Sequence, residues 1–267
     1  MPILVDAETR RMSQNEFGAV AYQVMRRVFD VHNQLGRFFN ESIYQKAVAD
    51  GLSGARTEVK VEAVFEDFRK QYFIDLLVDG GAAFEFKAVE KLTGRHRAQL
   101  LNYLLLAELS HGKLINVRPE LVEHEFVNTS LTREVRAEFA TDDSEWREMP
   151  AVRGSVKEYL LAVMRDWGTG LEIPLYTDAL THFLGGEATV QQEVAILLEG
   201  RQVGRQKIRL LTPDATFQLT QIADKKGLDR FETHARLFLN HTGLNILQWI
   251  NISLHQVTFR TIRRDKA

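Results

Sequence analysis

The second half of the chain repeats the first, so a fold assigned to one half has to serve for both. Tyr44, Ala47, Leu52 and Gly54 recur 132 residues later as Tyr176, Ala179, Leu184 and Gly186. Ile74-Asp75-Leu76-Leu77 returns at an offset of 134 as Ile208-Arg209-Leu210-Leu211, and the run Phe84 to Val89 returns at 133 as Phe217 to Ile222. Leu101-Asn102 with Leu239-Asn240, and Ile115-Asn116 with Ile250-Asn251, complete an ordered set. Any one match is within the reach of chance; the set in one order implies a duplicated domain. The 267 residues, 45% of them hydrophobic, have room for two cores. The expected division is residues 15–130, a polar connection at 131–152, and a second domain at 153–264.

Periodicity gives the class of each domain. Phe17, Val20, Ala21, Val24, Val28, Val31 and Leu35 recur at helical steps, with Gly36 as a stop. Residues 1–14 read as a polar lead-in. A second helix is expected over Glu41 to Leu52. Val59–Phe65 alternates like a strand, and Tyr72–Val78 is apolar enough to be a buried one. The turn Asp79-Gly80-Gly81 folds Ala82–Val89 back as a hairpin. A helix over Arg95–Leu109, with Thr93 as its N-cap, precedes short strands at Lys113–Val117 and Glu123–Val127. Arg133–Phe139 has room for a turn or two of helix inside the polar connection. The class is α/β, a mixed sheet flanked by helices.

What the copy discards is as informative as what it keeps. The apolar strand positions persist, yet Asp75 becomes Arg209, Glu85 becomes Gln218 and Lys87 becomes Thr220. Gln99 aligns with Leu237, Tyr103 with His241, and Glu41 falls near Ile173. A scaffold needs the apolar set; only chemistry needs those polar groups. The second half therefore reads as a copy that kept a fold and lost a site.

The chemistry is carried by Phe84-Glu85-Phe86-Lys87. Alternate strand residues share a face, so Glu85 and Lys87 project together while the phenylalanines face the core. Asp75, on the preceding strand, comes alongside. Two carboxylates and a nearby carbonyl make a hard oxygen site for Mg²⁺ or Mn²⁺, which polarises a phosphate and acidifies a bound water. A neighbouring ammonium orients that water or offsets developing charge. Glu-x-Lys alone means little, since Glu58-Val59-Lys60 is another. The surrounding apolar hairpin, where a charge without a purpose is costly, sets this one apart.

Leu35-Gly36, Glu41-Ser42-Ile43-Tyr44, Ile74-Asp75-Leu76-Leu77, the run Glu85 to Leu92, the run Ala98 to Leu104, and Leu114-Ile115-Asn116 together resemble the GxxExxY family of the PD-(D/E)XK nuclease superfamily. The resemblance covers about residues 15–130 and departs at Phe38, where the family has glycine. It implies a restriction-endonuclease-like core, duplicated in tandem here. It also implies Asp75 and Glu85 as metal ligands, Glu41 as an added ligand or water-positioning group, and Lys87 at the catalytic water. Gln99 and Tyr103 resemble the Gln-x-x-x-Tyr signature of the exonuclease-like branch; four apart, they share a helix face. Arg95 and Arg97 are candidate phosphate contacts. The bland alternatives are a capping amide, a core tyrosine, a solvated Glu41 and a charged helix start.

Composition closes off other routes. Without cysteine there are no disulfides and no thiolate zinc sites, and a cytoplasmic setting fits. His96 has no second histidine at a metal spacing. Neither a phosphate-binding Gly-x-x-x-x-Gly-Lys loop nor a Gly-x-Ser-x-Gly elbow is present. No apolar run approaches a membrane span, and the residues from Met1 to Asp6 lack a signal peptide's apolar stretch. A net charge of −2 and a pI near 6.5 argue against coating nucleic acid through bulk positive charge, though not against a local basic groove. The expected activity is metal-dependent hydrolysis of nucleic acid, DNA ahead of RNA, by a monomer with an internal pseudo-dimer or by a homodimer. Two other classes stay open: a non-catalytic nucleic-acid-binding or regulatory protein on the same scaffold, and a structural protein whose buried charges fix strand register by pairing Asp75 with Lys87. Trp249 and Phe259 are assigned to the core. The basic tail Arg260, Arg263, Arg264 and Lys266 is a weaker candidate contact to nucleic acid.

Overall fold

A tight turn and two apolar strands build the centre of the first half. In the computed structural model, which describes residues 2–149 and 154–265, Asp79 and Gly80 turn the chain with φ of 50° and 66°. A Cβ on Gly80 would lie 2.7 Å from the Glu8 carbonyl, so the turn needs glycine there for space as well as for φ. The turn joins β3 (Phe68–Val78) to β4 (Ala82–Lys87), and β3 also pairs antiparallel with β2 (Ala55–Phe65). Helix α3 (Gly94–Leu106) then crosses over to β5 (His111–Asn116), parallel to β4, and β6 (Glu123–Asn128) returns antiparallel. With β1 (Ile3–Val5) on the outer edge of β2, the sheet order is β1-β2-β3-β4-β5-β6. Helix α1 (Gln14–Leu35) starts from a Ser13–Glu16 capping box, and α2 (Glu41–Ala49) follows. Phe17, Val24 and Val28 of α1 and Tyr44 and Val48 of α2 bury against Leu76, Phe84, Phe86 and Ile115.

The chain divides into two compact units, Met1–Arg133 and Glu134–Ala267. The second begins with α4 (Arg133–Ala137) and β7 (Ala140–Glu145), then α5 (Val156–Trp167), α6 (Ile173–Phe183) and the short α7 (Glu187–Val190). Strands β8 (Gln191–Leu198), β9 (Arg201–Thr212) and β10 (Ala215–Thr220) lead through α8 (Lys225–Thr242) to β11 (Ile246–Ile252) and β12 (Gln256–Arg263). The sheet order is β7-β12-β11-β10-β9-β8. From β8 to β12 the pairings run antiparallel, antiparallel, parallel, antiparallel, as they do from β2 to β6. The expected α/β class, a mixed sheet with helices, holds in each unit. No described helix is long and apolar enough to cross a membrane.

Two polar anchors recur at matching positions. Tyr44 donates its hydroxyl to the Gly36 carbonyl at 2.7 Å, and Tyr176 does the same to Gly168 at 2.6 Å. Asn116 clamps both backbone groups of Val89, at 3.1 and 2.8 Å; Asn251 clamps those of Ile222, at 2.8 and 3.0 Å. Each clamp satisfies a strand end that has left its ladder. β4 stops at Lys87, short of the expected Val89, and the clamp serves the backbone beyond that end.

The structure differs from the sequence reading elsewhere too, and α3 ends at Leu106, short of Leu109. The lead-in 1–14 contains β1, too short to display alternation. Helix α2 ends at Ala49, before Leu52. The polar stretch read as a connection is structured: β7 pairs parallel with β12, Trp146 is buried, and buried Arg136 donates to the Trp167 and Thr169 carbonyls at 2.8 Å. An edge strand with mostly exposed side chains carries no apolar alternation to read. Residues 150–152 of that connection, and Arg153 after it, lie outside the described residues. The pairing of Leu101-Asn102 with Leu239-Asn240 does not match environments: α8 has 18 residues against 13 in α3, and Asn102 is buried where Asn240 is exposed.

If the Asn251 clamp holds the second unit, Asn251→Ala leaves the Ile222 N–H and carbonyl without their partner. Urea titration should show a loss of about 1–3 kcal/mol. An unchanged midpoint would mean that solvent serves those groups equally well.

Candidate functional site

The site forms where β3 and β4 part. Their ladder runs Val78↔Ala82, Leu77↔Ala83 and Leu76↔Phe84. One residue further, the Asp75 carboxylate takes over from the backbone: its Oδ2 accepts the Phe86 N–H at 2.7 Å. Phe84 stacks on Phe17 of α1, with ring centroids 6.1 Å apart. Glu85 and Lys87 occupy the alternate positions and meet each other, Nζ to Oε1 at 2.7 Å.

Glu85 is only 1% exposed, and its Oε2 is buried with no hydrogen-bond partner. Burial raises its carboxyl to about 8, and the charge of Asp75 adds to this against the opposing pull of Lys87. Burial also lifts Asp75, to about 6, against the Phe86 N–H, Lys87 and a hydrogen bond from Gln45. Lys87 loses by burial, but the carboxylates of Glu85, Asp75 and Glu41 outweigh that and hold it above the usual lysine value. The cluster therefore keeps a proton near neutrality.

Helix α2 supplies the rest. Glu41, in its first turn, accepts the Ala88 N–H through Oε1 at 2.7 Å, just beyond the end of β4. One turn later Gln45, 6% exposed, reaches Asp75. The sequence reading passed over Gln45; its position four residues after Glu41 was the available signal. It set Glu58 aside as part of a commonplace Glu-x-Lys, yet this is a left-handed residue (φ 52°) within β2 whose charge bears on Asp75. Nothing in the local sequence marks that backbone.

The other candidates are placed differently. Gln99 donates to the Tyr103 hydroxyl at 2.8 Å, and Tyr103 packs edge-on to Tyr72. Arg97 is paired with Glu125 at 2.5 Å and Arg95 is exposed. His96 closes the helix cap by accepting the Thr93 N–H. Trp249 and Phe259 are buried. Arg260 pairs with Glu145 and Glu232, Arg263 and Arg264 are exposed, and Lys266 lies outside the described residues. In the second unit, Arg209 donates to Thr181, Gln218 is exposed, and Thr220 bonds Asn251 and Trp249.

Could these residues take a cation? Among the described residues no three acidic or histidine side chains stand close enough to form a finished cage. The donor chemistry nonetheless fits. Asp75, Glu85 and Glu41 offer hard carboxylate oxygens, and Glu85 Oε2 is a buried acceptor with nothing to accept from. A divalent ion would take the place of the retained proton and loosen Lys87 from Glu85.

With known proteins the chain compares as follows. The family model of the PD-(D/E)XK nuclease superfamily matches residues 18–128, the span containing all of these groups. That superfamily suggests nuclease activity, with a nucleic-acid substrate and divalent metals in general use. No curated protein matches. Among solved structures the chain is similar to one titled "Crystal structure of SSO0001", at 20% identity and a TM-score of 0.29. The match covers 44% of this chain and 61% of that one.

The buried carboxyl gives a pH signature. A carboxyl raised on folding binds a proton that the unfolded chain releases, so stability is greatest below about pH 4.5 and falls as pH climbs towards 8. Asp75 adds to the same slope up to about 6. Glu85→Gln should flatten the fall, measured as urea midpoints at pH 5 and pH 8 in metal-free buffer. An identical fall in the variant would mean that Glu85 is solvated.

Proposed function

We propose that the first unit is a divalent-metal-dependent nuclease that hydrolyses phosphodiester bonds, with DNA ahead of RNA as substrate. The observation that carries this reading is the buried Glu85 carboxyl, with Oε2 unpartnered, beside Asp75 and against Lys87. A structural ion pair would leave no such acceptor, and Lys87 pairs with Glu85 instead of Asp75.

Asp75, Glu85 and Glu41 would hold Mg²⁺ or Mn²⁺, which supplies Lewis-acid polarisation of the phosphate and a more acidic water. Gln45 and the Phe86 N–H fix the Asp75 carboxylate, as partners of metal ligands commonly do. Lys87, released from Glu85, sits to orient the attacking water or to offset charge on the phosphate. The Gln99–Tyr103 pair and Arg95 would meet substrate; Arg97 would first have to leave Glu125.

The second unit is, on this reading, a tandem duplicate that kept the scaffold and lost the site. The repeated tyrosine and asparagine anchors support common descent, and Arg209, Gln218 and Thr220 stand where the catalytic groups would be. Either a monomer with an internal pseudo-dimer or a homodimer accommodates this. The rival is a nucleic-acid-binding protein without catalysis.

Labelled single- and double-stranded DNA and RNA, incubated with Mg²⁺ or Mn²⁺, decide between them. Cleavage should require metal, drop at least ~1,000-fold in Glu85→Ala and Lys87→Ala, and drop roughly 10–100-fold in Gln45→Ala. The rate should rise with pH between 6 and 8 as the retained proton leaves. Tight binding without cleavage, unchanged in either variant, would establish the rival.

A further inference from the structure

In the second unit one strand of the β8–β9 hairpin is bare towards its tip, while the other lies against α8, where Val194 packs on the core and the Leu197 carbonyl meets His241 Nδ1 at 2.7 Å. From Arg201 to Lys207 every residue of β9 is exposed, so both faces meet solvent. The equivalent hairpin of the first unit, β2–β3, instead buries Val59, Val61, Ala63, Phe68, Tyr72 and Ile74. Charge reverses as well. Ala55–Val78 carries four cations against five carboxylates, whereas Gln191–Thr212 carries four cations against two. From Gly200 to Pro213 there are Arg201, Arg205, Lys207 and Arg209 and no acidic residue. The register shifts between Ile196 and Leu197, a bulge that twists the arm near its tip. Arg205 and Lys207 lie on one strand face; Arg205 rests on Glu193 of β8, donating to its carbonyl at 3.1 Å with the carboxylate 3.9 Å away, and Arg209 at the base bonds Thr181.

Burying an apolar hairpin stabilises a domain, so baring one of its strands and charging it positively calls for a partner that does not belong to the core. We propose that this arm binds the phosphate backbone of nucleic acid, with Arg201, Arg205 and Lys207 as contacts. The proposal rests on the nuclease reading of the first unit for the identity of the polyanion. Cations that neutralise phosphates supply affinity without sequence preference. A two-stranded ribbon also fits the major groove of duplex DNA, about 12 Å wide. An anionic membrane suits the arm less well, because Glu199 stands at the tip that would insert first. The chain's net charge of −2 makes the arm a local feature.

The test is fluorescence anisotropy of the full-length protein on labelled duplex DNA in EDTA, where no metal-dependent cleavage occurs, between 50 and 200 mM salt. The triple variant R201Q/R205Q/K207Q should bind about tenfold or more weakly, with a log–log salt slope shallower by about 2 to 3. The charge-keeping variant R201K/R205K/K207R should recover both, and matched thermal melts exclude misfolding. Equal affinity and slope in the glutamine variant would overturn the proposal, as would wild-type protein that binds phosphatidylserine vesicles and ignores DNA. The two readings fail separately. Cleavage by a glutamine variant that binds like wild type would sink the arm alone; salt-sensitive binding through the arm with no cleavage on any substrate would sink the nuclease alone.

Discussion

The first unit is organised around the desolvation of one carboxyl group. Glu85 lies in β4 between Phe84 and Phe86, both fully buried, and α1 and α2 close over the same core. Packing of that quality excludes water, and the exclusion disfavours the ionised form of Glu85. Its remaining neighbours follow from that constraint. Lys87 answers one oxygen, Asp75 is held off by the Phe86 N–H, and the second oxygen is left without a partner. A cation that satisfied that oxygen would recover an interaction the fold withholds.

The second unit serves as an internal comparison. Its tyrosine and asparagine anchors have the same partners at the same points of the topology, so they belong to the scaffold. At the matching points of β10 it has an exposed glutamine, Gln218, and Thr220 bonded to its neighbours, and no acid is buried among its described residues. A sheet with the same run of pairings is thus built in the second unit without the polar groups of Glu85 and Lys87.

Much of this was legible in the sequence, for identifiable reasons. Helix α1, the β3–β4 hairpin and the crossover through α3 were announced by periodicity and by Asp79-Gly80-Gly81. Asp75, Glu85 and Lys87 stood out because they interrupt apolar strands, and the structure brings them together. Gln45 did not stand out: a glutamine in a helix is ordinary until its burial and its partner are known. Glu58 was hidden because a left-handed backbone leaves no mark unless glycine occupies it. The stretch 140–145 misled because an edge strand pairs through its backbone and owes the core no side chains.

That edge strand bears on where the chain can be divided. β7 lies against β12, covering a row of backbone donors and acceptors that would otherwise be open to any passing strand. A fragment starting at 153, where the sequence reading begins the second domain, leaves that row uncovered. Such a fragment bares β12 as a template for pairing with another strand. In the first unit the sheet ends at β6, where Glu123 and Glu125 charge the rim. One half of the molecule protects its edge with a strand, the other with carboxylates.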